Sequence, residues 1–191
     1  MSRFVGSGVL FALGCLVQIW VAADPVIHVL VQMPLLAAAG YVLPRRFILP
    51  RSGVGPVLIL AFVALTIWML PRSVDAALSS YTWHLAKFVT IPLGIGFALS
   101  FSWPCIGPVL RGFIKAQLVS MLLFLGFLYT HAPIRICNSY LIDDQHRLGL
   151  GFAYVAIGLA LYWIVPVFIG TPTSAQKGNT HDIRGHGYRL F

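Results

Sequence analysis

Charge is what this chain has least of. Only 9% of its 191 residues are Asp, Glu, Lys or Arg, 59% are hydrophobic and the mean hydropathy is +0.87. Soluble domains carry roughly a quarter charged residues, so an ordinary soluble domain is excluded. Acidic residues are scarcer still, at five, all of them Asp. None falls inside an apolar run, which argues against a proton-coupled carrier. The chain also has no Gly-rich phosphate loop, no G-x-S-x-G and no H-E-x-x-H, so no enzyme of a common type is expected. Its three cysteines, Cys15, Cys105 and Cys137, show no C-x-x-C spacing, and neither a disulfide framework nor a zinc site follows. The strict alternation of a membrane β-barrel is missing, and there is no internal repeat.

What is present is a series of apolar runs, each of roughly 17 to 23 residues, long enough for a helix to cross a hydrocarbon core of about 30 Å. The expected fold class is therefore all-α: a polytopic membrane bundle of six transmembrane helices. The spans are placed at about 4–22, 25–43, 54–70, 82–103, 108–130 and 148–170. The first resembles a signal peptide in its apolar character but is read as a span. Pro25 suits the first turn of the second helix. A basic loop with Pro44, Arg45, Arg46, Pro50, Arg51 and Gly53 precedes the third span, and Trp68–His84 forms a charged, proline-broken link before the fourth. A polar connection, His131 to Arg147, leads to the sixth. The tail 171–191 is polar and basic, without core-forming periodicity, and its His181 and His186 are poor site candidates.

The formal charge of +8 comes from residues at span ends and in the tail, where topology signals and lipid headgroup contacts explain it better than nucleic acid does. With both termini cytoplasmic, nine basic residues lie inside (Arg3, Arg45, Arg46, Arg51, Arg111, Lys115, Lys177, Arg184 and Arg189). Four lie outside, namely Arg72, Lys87, Arg135 and Arg147. The positive-inside rule favours that orientation. Lys87 and Lys115 are expected to snorkel, so that neither needs a buried partner. Trp20, Tyr41, Trp68, Tyr81, Trp83, Trp103, Tyr129 and Trp163 are expected to anchor the span ends.

This topology puts His28, His84, His131 and His146 at one depth on the outer side, with Asp75, Asp143, Asp144, Cys137 and Met33. Imidazole, carboxylate, thiol and thioether together suit copper better than the oxygen-loving metals, and neutral imidazole is also the usual haem ligand. His28, His84, His131, His146, Asp75 and Asp144 are the candidate metal contacts. Each also has a structural use. His28 and Gln32, spaced i, i+4, suit an interhelical hydrogen bond; Asp75 suits an N-cap or a pair with Arg72; Asp143 and Asp144 complement the positive end of the last helix.

W-M-L-P-x3-D-A-A-L (Trp68 to Leu78), F-S-W-P-x3-P (Phe101 to Pro108) and D-Q-x3-G (Asp144 to Gly149) follow one another on this spacing of spans. They resemble the CtaG-like family of haem-copper (cytochrome c) oxidase assembly factors. The segment His28 to Leu43 is similar to that family's histidine-bearing helix. The likeness covers about Pro25 to Gly170. It implies a multi-pass protein of the bacterial inner membrane that helps mature a copper-containing respiratory oxidase, with copper as the cofactor handled at the outer face. Position by position, His28 matches a family histidine, Asp75 the aspartate after the W-x-L-P element, and Asp144 with Gln145 the last motif. The family places a second histidine one turn after the first, where this chain has Gln32. A histidine pair in the fourth span is reduced to His84, with Lys87 and Phe88 nearby. Fewer histidines are expected of an accessory subunit. The alternatives are a haem b-binding electron-transfer subunit and a structural subunit with no cofactor, each partnered by other subunits of a membrane redox complex and by lipid.

Overall fold

A computed structural model describes residues 2–21, 24–44, 51–132 and 141–169. The tail, Cys137, Arg135 and the loop residues 45–50 lie outside these. Among the described residues every regular element is helical. Helix α1 (Ser2–Leu16) breaks at Val17 and resumes as α2 (Gln18–Val21). A π-helical stretch, Ile27–Gln32, runs straight into α3 (Met33–Val42). Next come α4 (Arg51–Met69), α5 (Pro71–Ser79) and α6 (Tyr81–Thr90). A second π stretch, Ile91–Phe97, joins α6 to α7 (Ala98–Ser102), which closes in the 3-10 turn Trp103–Cys105. Helices α8 (Pro108–His131) and α9 (Ile142–Ile169) complete the order.

Four helical stretches are long and apolar enough to cross a membrane: Arg3–Trp20, Tyr81–Cys105, Pro108–His131 and Ile142–Pro166. A fifth is the pair Gly53–Met69 and Pro71–Ser79, bent by 73°. The expected second span is helical, but its apolar part, Ile27–Val42, is shorter than the others. The last helix starts at Ile142, not Leu148, so residues read as a polar connection form its first turns. Asp143 and Asp144 account for this, because carboxylates favour a helix N-terminus. Helix α5 likewise starts at Pro71. Proline at the first helical position begins the helix four residues before Asp75, so Asp75 sits mid-helix and is not the N-cap.

Lipid offers no hydrophobic drive between helices, so small residues and buried hydrogen bonds must hold them. The chain uses both. A Cβ built on Gly40 would overlap the Pro92 carbonyl, and one on Gly96 would overlap the Ala37 carbonyl. Side-chain-free positions thus let α3 and the second π stretch pack backbone to backbone. Gly126 and Gly149 do the same for α8 and α9, where a Cβ on either would lie 3.1 Å from the other's carbonyl oxygen. Helix α1 docks on α3, and Ser7 Oγ donates to Ala39 O at 2.8 Å. Val29, Met33, Leu36, Ile91, Leu122 and Phe152 meet in the core where these pairs join.

Two residues assigned to the interfacial belt are core residues. Trp68 and Tyr129 are buried. The Trp68 indole N–H donates to Thr90 Oγ1 at 2.9 Å and the ring meets Trp83 edge-on, so the residue at the α4–α5 bend is tied to α6. Trp20, Tyr81 and Trp83 do project outward.

Candidate functional site

The end of the bundle that carries Asp24, His28 and His84 is organised around Lys87. This lysine is fully buried, and so are His28 and Gln32. The structure therefore corrects the snorkelling expectation. From α6, Lys87 reaches inward between α2 and the first π stretch, because acceptors are waiting there. Its Nζ donates to Gln32 Oε1 at 2.8 Å and to Gln18 Oε1 at 3.0 Å, and lies 3.3 Å from His28 Nε2. The Phe88 ring centroid lies 5.2 Å from the same nitrogen. Among the described residues the ion pairs are those of Arg147 with Asp24 and Asp144, and no carboxylate pairs with Lys87.

The network also reaches α1. Gln32 Nε2 donates to Gly14 O at 2.9 Å and to Gln18 Oε1 at 2.8 Å. A backbone carbonyl can only accept, so Gly14 fixes the amide's orientation and turns Gln32 Oε1 toward the lysine. An ammonium has donors only, so the imidazole nitrogen facing it is the unprotonated one. Both His28 and Gln32 sit in the π stretch, whose wider turn keeps residues four apart close to one face; such stretches recur at functional sites. The other π stretch begins one turn after Lys87. Interhelical hydrogen bonding, read from the His28 and Gln32 spacing, is thus present, but its centre is a residue assigned no partner.

The other candidate metal contacts are dispersed. His84 is half-buried and meets Phe88 edge-on at 5.2 Å, one turn before Lys87. His131 is exposed, stacks on Phe127 at 4.3 Å and bonds through Nδ1 with Thr130 Oγ1 at 2.8 Å. His146 is exposed on the first turns of α9. Asp144 faces Arg147 at 3.8 Å, and Arg147 reaches Asp24 at 3.7 Å. Asp24 Oδ1 in turn accepts from the Val26 amide at 2.8 Å, capping the helical stretch that follows. Asp75 is half-buried on α5, where its carbonyl accepts from Ser79 Oγ. Among the described residues no three His, Cys, Asp or Glu side chains gather as a metal site would require. His28, the match to the family histidine, faces a cation.

Two clefts lie elsewhere. One of about 340 Å³ opens between α4, α7 and α8 and is lined by apolar residues such as Phe62, Leu99, Phe113 and Met121. The other, about 610 Å³, lies at the opposite end among Tyr41, Trp103, Lys115 and Trp163. There Lys115 Nζ stands 5.2 Å from the Trp163 ring centroid, a cation–π contact at partial exposure.

Reading helices one at a time conceals Lys87 and Gln18. The available signal was that Gln18, Gln32 and Lys87 are polar residues in three apolar spans at one depth. No protein-family model, no curated protein and no solved structure matches this chain.

Proposed function

We propose that this protein is an assembly or accessory subunit of a copper-containing respiratory oxidase, or of a related redox complex, in the bacterial inner membrane. In this reading it has six spans with both termini cytoplasmic, and it acts as a helical scaffold, not as a catalyst. The order of the three motifs supports the family assignment, and the count of basic residues supports the orientation. The observation that carries the scaffold role is what the motif residues do. Trp68 and Pro71 set the bend and tie it to α6, Trp103 to Cys105 ends the fourth span, and Gly149 lets α9 meet α8 closely. Each shapes helix packing. Copper handling through His28, His84, His131, His146, Asp75 and Asp144 lacks that geometric support, because among the described residues no three such side chains gather.

Deleting the gene and measuring oxidase activity and copper per haem in isolated membranes tests this. The proposal expects oxidase activity to fall well below wild type and to return when the gene is restored. Unchanged activity and unchanged copper content would remove it. The reading as a purely structural subunit predicts that His28→Ala, His131→Ala and His146→Ala chains that still insert restore the oxidase fully. A metal-handling role predicts that they do not.

A further inference from the structure

The three groups around the Lys87 ammonium have the character of a binding site and not only of a packing contact. Gln18 Oε1, Gln32 Oε1 and His28 Nε2 come from α2 and the first π stretch and converge on one point, at 3.0, 2.8 and 3.3 Å. All three accept, so the point they define calls for a donor of three N–H bonds. Two of the three are held from outside the lysine: Gly14 O orients Gln32, and Gln32 Nε2 orients Gln18. The two amide acceptors are therefore held in place without the group they surround. We propose that Lys87 is a tethered cation filling a three-acceptor cage, and that this cage binds a small primary ammonium ion whenever the lysine's own ammonium is withdrawn.

The donor set decides the class of ligand. Two amide oxygens and one neutral imidazole supply no negative charge, so a doubly charged ion, with about four times the self-energy of a single charge in low dielectric, is disfavoured. The spacing of the acceptors is that of hydrogen bonds, which a primary ammonium satisfies and a quaternary one cannot. In the intact chain the same arrangement keeps His28 Nε2 occupied, and an incoming metal ion meets the lysine charge before it meets the imidazole. The family-like histidine is thereby closed by its own chain.

The test is chemical rescue in the full chain, reconstituted in nanodiscs. Lys87→Ala removes the ammonium and leaves space for a small ligand. Its melting temperature is expected to lie below wild type and to rise by several degrees with methylammonium chloride, relative to the same concentration of sodium chloride. Tetramethylammonium is expected to give no rise, and neither ion is expected to shift Lys87→Met, whose side chain refills the cage. The double variant His28→Ala, Lys87→Ala is expected to show a smaller rescue. A Lys87→Ala protein that responds equally to methylammonium and sodium, or to methylammonium and tetramethylammonium, would overturn the proposal. A second measurement does not depend on that variant folding. With ε-15N-lysine in the otherwise wild-type chain, one NH3+ group is expected to exchange its protons slowly and to lose that protection in Gln32→Leu. Absence of a protected lysine NH3+ in the wild-type chain would also overturn it.

Discussion

Replacing Gln32 by leucine removes the side chain that bonds Gly14, Gln18 and Lys87 while keeping the volume nearly constant. Three hydrogen bonds disappear: the lysine's shortest, at 2.8 Å, and the two that Gln32 Nε2 donates to Gly14 O and Gln18 Oε1. Bonds between membrane helices are worth about 0.6 kcal/mol on average and about 1.7 at most, so the two neutral ones account for about 1–2 kcal/mol. A bond to a charged group is worth about 1.5–3 kcal/mol, and its loss leaves a buried ammonium with fewer acceptors. Gln32→Leu is therefore expected to cost about 3 kcal/mol, roughly a hundredfold in the unfolding equilibrium. Reversible unfolding in bicelles, followed by helicity or by a steric trap on α1, reads this directly. The contrasting variant is Gln18→Glu. Its carboxylate accepts from the same two donors and adds a counter-charge at a half-buried position, so it is expected to be at least as stable as wild type. Gln32→Leu within about 0.5 kcal/mol of wild type, or Gln18→Glu markedly destabilised, would refute the reasoning.

Two further outcomes concern the scaffold. Gly40→Ala forces the Pro92 carbonyl away from α3 and should cost about 1–3 kcal/mol, whereas Gly55→Ala, where a Cβ meets nothing within 4 Å, should be neutral or stabilising by up to about 1 kcal/mol; thermal melts of the pair check this. Arg147→Ala breaks the pairs at 3.7 and 3.8 Å but removes a largely exposed side chain, so its cost should stay below about 1 kcal/mol and shrink further in high salt.

Much of the helical framework was legible because lipid permits so few alternatives. Runs of apolar residues with no alternation must be helices, and Pro71, Pro104 and Pro108 mark where they turn. What stayed hidden is what depends on two helices meeting. Nothing in the sequence sets Gly40 and Gly96 apart from other glycines, yet they let two backbones touch. Lys87 read singly as a residue that snorkels, because a lone lysine six residues inside a span has water as its nearest partner. Only the approach of α2 and the first π stretch offers it something better. Trp68 was misassigned for a related reason: a tryptophan at a span end is usually an anchor, but the 73° bend folds this one under α6. The histidines show the converse. A shared depth says nothing about azimuth: His28 is buried beside Lys87, whereas His131 and His146 are exposed on other helices.

The Lys87 ammonium and its acceptors act as one energetic unit joining three helical stretches. A double-mutant cycle between Lys87→Met and Gln32→Leu measures that most directly, since each single variant removes the shared bond and the double variant removes it once. The account predicts strongly non-additive losses, with a coupling energy of about 1.5–3 kcal/mol. Additive losses, with coupling below about 0.3 kcal/mol, would contradict it.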